Sequence, residues 1–225
     1  MALTRLDSDE RRRAIVAAAV PLFARKGFSG TTTRELAEAA GISEALLFRH
    51  FPSKKLLYGE ILRLGCEGDP ALEALASLEP SSATLAHMIR FMVRHFLALD
   101  EDRCEVNTKL RLMLHSVLED GDYVRELSDR IFDQVHPLFA ASLEAALAAG
   151  DLRPLPVAST NRFWFAQHVA AMMACFLLPG RSCVPYAGDV ETLAEEAAWF
   201  ILRGVGMKET AIAAALAPPA TRAAE

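Results

Sequence analysis

The 225-residue sequence predicts an all-α protein from two observations. Apolar residues recur at three- and four-residue steps along most of the chain, as they do in amphipathic helices, and they hardly ever alternate as in strands. Breaks rich in Gly, Pro and Ser separate the helical stretches, and the longest of them, residues 65–82, is expected to be a connection or a weak helix. This break divides the chain into a shorter N-terminal part and a longer C-terminal part.

Charge is distributed unevenly between the two parts. Residues 1–60 contain ten Lys and Arg against seven Asp and Glu, a formal charge of +3. The whole chain carries −5, so the remainder carries −8. A basic N-terminal part suits an anionic partner such as nucleic acid, whereas the acidic, apolar remainder does not. We therefore expect the two parts to have different roles.

Export and membrane insertion are not expected. No signal-peptide pattern opens the sequence, and the most apolar window, 163–178, is shorter than the ~20 residues of a membrane-spanning helix. The four cysteines, Cys66, Cys104, Cys175 and Cys183, form no C-x-x-C pair and have no histidine at metal-ligand spacing. We expect a cytoplasmic protein with reduced thiols, no bound metal and no cofactor.

Residues 33–51 predict two short helices joined by a tight turn at Gly41. Thr32 is the expected N-cap of the first helix, in a capping box with Glu35, and Ser43 is the expected N-cap of the second helix. In a helix-turn-helix of this kind, the second helix enters the major groove of DNA. Together with the helix before it, the pair predicts a three-helix DNA-binding domain at residues 8–65.

The second helix of this pair divides its residues between an inner and an outer face. At 100° per residue, Leu47 and Phe51 lie on one side of the helix, whereas Ala45 and Arg49 point the other way. Only the first two residues are therefore needed in the core. The outer face remains free to touch a partner.

Four short motifs follow one another through this domain. They are Phe23…Gly27-Phe28, Thr31-Thr32-Thr33, Gly41-Ile42-Ser43 and Phe48…Phe51…Ser53-Lys54. In this combination they resemble the N-terminal domain of the tetracycline-repressor (TetR) family of transcriptional regulators. The resemblance implies an all-α chain in which a larger helical ligand-binding and dimerisation domain, at 66–210, follows the helix-turn-helix domain. Residues 211–225 are expected to form a flexible tail.

The resemblance also implies which residues face DNA. Contacts to the phosphate backbone are expected from Thr32, Thr33, Arg34 and Lys54. Contacts in the groove are expected from Glu44, Ala45, Leu46, Phe48 and Arg49. His50 is a further candidate, although packing or a backbone contact explains it equally well, and Glu44 fits a solvated surface as well as it fits a base contact.

Individual side chains on this face suggest individual base contacts. Arg49 is the candidate for a bidentate contact to guanine, and Ala45 or Leu46 for contact with a thymine methyl group. Members of the family commonly have Tyr where this chain has Phe48, and a small or hydroxyl residue where it has Leu46. Apolar contacts are therefore expected to matter more in this chain.

Residues 70–210 contain no nucleophile–base pattern, glycine-rich phosphate loop or clustered metal ligands. They contain large apolar residues interleaved with histidines, which fill a core by default and as a group are also able to line a mostly apolar pocket. The resemblance favours a pocket for a small effector. Its candidate residues are Phe91, His95, Met113, Phe132, His136, Trp164, His168 and Met172.

The last two long helices, near 158–178 and 189–206, are more apolar than one small chain readily covers. We expect a homodimer through these helices, as the resemblance also implies, because a dimer presents two recognition helices to a palindrome. The resulting hypothesis is a repressor released from its operator by a small, hydrophobic ligand. The alternative is a helical ligand-binding or interaction protein without operator binding, and an enzyme is the third choice.

Overall fold

The computed structural model describes residues 7–65, 70–179 and 181–217, and these ranges are helical almost throughout. The helices are α1 (Ser8–Gly30), α2 (Thr33–Ala39), α3 (Glu44–His50), α4 (Lys54–Gly65), α5 (Pro70–Ala76), α6 (Ser82–Phe96), α7 (Arg103–Leu118), α8 (Asp122–Ala148), α9 (Ser159–Leu177), α10 (Val190–Gly204) and α11 (Glu209–Leu216). The predicted all-α class is confirmed. Helix α5 lies in the segment interpreted as a connection or a weak helix, and Cys66 lies outside the described residues.

The helices form two compact units. Unit 1 comprises residues up to 69 together with 107–130, and unit 2 comprises 70–106 together with the rest of the chain from residue 131. The sequence analysis placed residues 107–130 in the C-terminal part, because they lie within it along the chain. In the structure it belongs to unit 1, because Leu112 and Tyr123 are buried in the hydrophobic cluster of that unit.

The core of unit 1 holds the short helices in place. Helix α1 packs against α2 and α4, and α2 packs against α3. The regular course of α1 ends at Gly27, which has a φ of +70°, and the buried Thr31 hydroxyl donates to the Gly27 carbonyl over 2.7 Å. The chain is thereby turned from α1 into α2 without leaving that carbonyl unpaired.

Unit 2 is built around α6, which packs against α9, α10 and α11. The polar side of α6 is tied to α10 by two ion pairs, Arg90 to Glu195 at 2.7 Å and Arg94 to Glu191 at 2.8 Å. In the described ranges, none of the helices combines the length and the hydropathy that crossing a membrane requires.

The prediction of a flexible tail from residue 211 is wrong for 211–216. These residues belong to α11, and Ile212 is fully buried there. The surrounding alanines and prolines suggested fraying, and a single isoleucine gave too little signal of an anchored helix. Residues 218–225 lie outside the described part of the chain.

A side chain at Gly27 is expected to destabilise the protein, because a Cβ at this position would lie 2.6 Å from Glu119 Oε1 and 2.9 Å from His115 Nδ1. Gly27→Ala should lower the free energy of unfolding by about 1–2 kcal/mol through left-handed backbone strain, with the contacts adding to it. Urea unfolding measures this. As a control, Gly59→Ala on α4 meets nothing within 4 Å and should raise the free energy by about 0.5–1 kcal/mol. Equal effects of the two substitutions would contradict the assignment.

Candidate nucleic-acid interface

The start of α2 is fixed by the predicted capping box. The Thr32 hydroxyl accepts from the Glu35 backbone N–H over 3.3 Å, and the Thr32 N–H donates to Glu35 Oε2 over 3.0 Å. Lys26 adds an ion pair to the same carboxylate. The hydrogen bond from Lys26, followed by those from Thr32, lowers the pKa of Glu35 to about 2. Glu35 is thus ionised and committed to the cap, which leaves Thr32 at the exposed start of the helix.

The turn between α2 and α3 also has its predicted form. Gly41 has a φ of +65°, and the Ile42 N–H donates to the Ala37 carbonyl over 2.9 Å across the turn. Ser43 caps α3 by accepting from the Leu46 N–H over 3.2 Å. Because only glycine adopts this φ without strain, the sequence fixes the angle at which α3 leaves the turn.

Helix α3 exposes the face that the sequence predicts. Leu47 and Phe51 are buried in the core of unit 1. Phe48 is 43% exposed, although it is a large apolar residue. The other groove candidates divide as follows: Glu44, Ala45 and Arg49 are exposed, and Leu46 and His50 are half-buried.

Two of the predicted basic contacts are free to bind. Arg34, at the start of α2, and Arg49, on the outer face of α3, are both exposed. Within the described ranges, neither guanidinium has a hydrogen-bond or ion-pair partner. Both are therefore available to an anion or to a base edge without first breaking an internal bond.

Two other predicted contacts are engaged within the protein. The Thr33 hydroxyl donates to Glu44 Oε2 over 2.9 Å and so joins the start of α2 to the start of α3. The Lys54 ammonium donates to the carbonyls of Phe28 and Thr31 over 2.7 and 2.8 Å, and it lies 4.3 Å from the centre of the Phe28 ring. Lys54 thereby closes the C-terminal end of α1, where a cation is favoured.

Arg12 holds the C-terminal end of α3, a role that no pattern in the sequence indicated. Its Nη1 donates to the His50 carbonyl over 2.6 Å, and its guanidinium lies 4.3 Å from the centre of the Phe51 ring. Glu60 Oε1 lies 3.6 Å from its other terminal nitrogen. Arg12 is one of three consecutive arginines, and charge alone does not distinguish it from Arg11 and Arg13.

Four of the eight candidate pocket residues meet between α8 and α9. His136 stacks on Phe132 with ring centroids 4.2 Å apart, Phe132 lies 5.9 Å from Trp164, and Trp164 lies 6.3 Å from His168. All three ring pairs are close to parallel. The structure therefore places an aromatic row here, with a histidine at each end.

The other four candidate residues lie elsewhere. Phe91 and His95 stack on each other along α6 at 6.3 Å, and His95 is paired with Glu101. Met113 packs against the core of unit 1, whereas Met172 is exposed on α9. Two surface cavities of about 480 and 580 Å³ in unit 2 contain none of the eight.

The geometry of α2 and α3 defines a class of protein. A capped pair of short helices, joined at a left-handed glycine and presenting an exposed basic and apolar face on the second helix, is a DNA-binding helix-turn-helix. Residues 15–61 match the family model "Bacterial regulatory proteins, tetR family".

Relatives extend this match beyond the helix-turn-helix. The transcriptional repressor KstR2 of Rhodococcus jostii (strain RHA1) is 31% identical over 132 residues, which cover 49% of this chain and 65% of that protein. The regulator RutR of Escherichia coli (strain K12) is 43% identical over 53 residues, which cover 24% of this chain and 25% of RutR. The chain thus spans less than two thirds of either relative.

A solved structure shows that the likeness of fold includes the second unit. A protein from Saccharomonospora viridis, described as a transcriptional regulator in complex with choline, superposes with a TM-score of 0.65 at 19% identity, covering 89% of this chain and all of that one. At this identity the likeness concerns the fold alone. The family model thus identifies residues 15–61 as a DNA-binding domain of the tetR type, and the solved structure shows a similar fold over most of the rest of the chain.

The contacts of Arg12 predict that it positions α3 and does not itself contact DNA. Its loss should therefore lower the affinity for DNA without changing the salt dependence of binding. Arg12→Gln removes the bond to the His50 carbonyl, so affinity for duplexes selected from a random pool should fall by roughly fivefold to tenfold. The slope of log affinity against log salt should stay unchanged, because no phosphate contact is lost. A filter-binding titration at several salt concentrations measures both quantities.

Arg13→Gln is the matched control, since it removes the same charge from an exposed side chain. It should change the free energy of unfolding by less than about 0.5 kcal/mol. A slope that falls by about one in Arg12→Gln would mean that Arg12 contacts a phosphate, and the positioning role would then be wrong.

Proposed function

We propose that the protein is a repressor that binds a palindromic operator as a homodimer and leaves it when a small, mostly apolar ligand binds unit 2. The observation that carries the DNA-binding part is the outer face of α3. There an unpaired Arg49 stands beside the exposed Phe48 on a helix anchored by buried residues. Such a face has a guanidinium for a guanine edge and an apolar ring for a thymine methyl or a sugar.

The same proposal assigns the remaining polar candidates. Arg34 meets a phosphate, and the exposed Thr32 and the half-buried Thr33 lie beside it at the start of α2. Phosphate contacts of this kind set the register of the protein on the duplex, whereas sequence is read by α3. A regulator that works on DNA in this way acts in the cytoplasm of a bacterial cell.

Dimerisation is proposed through α9 and α10. These two helices expose large apolar side chains to an unusual extent, and Phe165 is 59% and Phe200 64% exposed. The further members of this group are Met172, Phe176 and Trp199. Apolar groups that recur along two neighbouring helices mark an interaction surface in a protein that does not enter a membrane. Two copies of the α9–α10 pair form a four-helix arrangement that covers them.

The way in which the chain connects the two units supports release by a ligand. Helix α7 begins in unit 2 and helix α8 ends there. Between these points, residues 107–130 belong to unit 1. A ligand that binds one conformation of unit 2 more tightly shifts the population towards it, and the shared helices carry the change to the DNA-binding unit. DNA and ligand then weaken the binding of each other by the same factor.

Arg49→Ala tests the reading face. Loss of a bidentate base contact should cost about 1–3 kcal/mol and relax the preference at one base pair of each half-site. The experiment selects duplexes from a random pool with the native protein and compares affinities by gel shift. Arg111→Ala, which removes an exposed arginine from α7, should leave affinity unchanged. Equal affinity of Arg49→Ala and the native protein would refute the assignment of α3 as the reading helix.

Phe165→Glu combined with Phe200→Glu tests the dimer. A charge in the centre of an apolar interface is left without a partner, so the double variant should have the mass of a monomer in light scattering at micromolar concentration. The control is Val117→Glu, whose side chain is 58% exposed in unit 1 and which should leave the mass of a dimer. A native protein that is already monomeric would rule out this interface.

A further inference from the structure

Unit 2 contains a buried aromatic contact between α8 and α9 that goes beyond the row already described. Phe163 of α9 packs edge-on against three rings of α8, with centroids 6.0 Å from Phe132, 5.7 Å from His136 and 5.4 Å from Phe139. Trp164 follows Phe163 and lies parallel to Phe132. Flat, hydrophobic surfaces thus meet here from both helices.

Two polar atoms in this aromatic surrounding have no partner. His136 Nε2 and Gln167 Oε1 are buried, and neither has a hydrogen-bond partner within the described part of the chain. Gln167 lies four residues after Phe163, which places both residues on the same side of α9. A buried amide oxygen without a donor is unfavourable, so its retention calls for a reason.

A third buried atom without a partner, the hydroxyl oxygen of Ser142, does not indicate a ligand. Rotation about its χ1 brings a serine hydroxyl within reach of a carbonyl one turn earlier in the same helix. The carbonyl oxygen of Gln167 accepts hydrogen bonds and does not donate them, so in this orientation it needs a donor from another group.

Charge in this surrounding is either absent or already used. Burial lowers the pKa of His136, so its imidazole is neutral at neutral pH. Arg162, next to Phe163 in the chain, donates to the carbonyls of Leu155 and Val157 over 3.0 and 2.9 Å. Its guanidinium is therefore committed to the backbone and is not free for an anionic ligand.

We propose that Gln167 and His136 are the polar contacts of the effector site. The effector is then an uncharged, flat, mostly apolar molecule that carries a hydroxyl or amide N–H group. The hydroxyl or N–H group donates a hydrogen bond to Gln167 Oε1, and the imidazole of His136 supplies a second polar contact. The rings of Phe132, Phe163 and Trp164 pack against the apolar part of the effector. The inference rests on the proposed function in one respect, namely that unit 2 binds an effector.

Three small probes with related ring systems test the chemistry. Indole carries an N–H donor, benzofuran is its close isostere without a donor, and indole-2-carboxylate adds a negative charge. Ligand-observed NMR titrations of the full chain should give indole a roughly fivefold to tenfold higher affinity than benzofuran, and should show no binding of the carboxylate. In Gln167→Leu the affinities of indole and benzofuran should become equal, with benzofuran binding retained.

Gln134→Leu is the matched control, since Gln134 is the exposed glutamine of α8. It should leave the preference for indole intact. The proposal is overturned if no probe binds at millimolar concentration, if indole and benzofuran bind the native protein equally, or if Gln167→Leu keeps the preference.

Stability of the ligand-free protein gives a second, independent readout. If Gln167 lacks a partner until the effector binds, Gln167→Leu should raise the melting temperature by about 2–4 °C, and Gln134→Leu should not. A lowered melting temperature would mean that the amide is already satisfied inside the folded chain, which overturns the proposal.

Gel shifts of the same variants keep this inference separate from the proposed function. Gln167→Leu should bind selected duplexes as tightly as the native protein does. Absence of DNA binding by the native protein would overturn the operator function and leave the probe results standing. A failed probe test with intact DNA binding overturns only the site described here.

Discussion

The position of α3 depends on the burial of Leu47 and Phe51. A helix of seven residues is too short to be stable in water on its own, so its conformation and its direction both come from packing. Ser43 caps its first turn, and Arg12 bonds the carbonyl of its last residue, His50. With both ends and the inner face fixed, only the outer face is left to vary, and this is the face to which we assign the reading of DNA.

The two units differ in how their charged side chains are used, in line with the uneven charge of the sequence. In unit 1 the bound lysines, Lys26 and Lys54, stabilise helix ends, whereas Arg34 and Arg49 are left for a partner. In unit 2 the arginines of α6 are paired with carboxylates, and the large exposed side chains of α9 and α10 are apolar. An overall negative protein therefore still presents free basic side chains at the start of α2 and on the outer face of α3.

Most of unit 1 could be predicted from the sequence, because its features are local. Capping residues such as Thr32, a glycine at a turn and a 100° helical period act over a few residues and leave clear patterns. The role of Arg12 could not be predicted, since its partner His50 is 38 residues away. The pocket was the hardest part: aromatic residues fill cores and pockets alike, and only tertiary contacts show that Phe132 meets Trp164 while Met113 lies in the other unit.

The membership of residues 107–130 in unit 1 limits how this protein can be taken apart. A fragment that stops at residue 65 would lack Leu112 and Tyr123, which complete the cluster around α1 and α4. Grafting the DNA-binding unit onto another regulator would require exchanging two separate stretches of chain instead of one. Recombination at a single crossover would thus yield hybrids with an incomplete core, and new combinations of operator and ligand would arise more readily by substitutions on the face of α3.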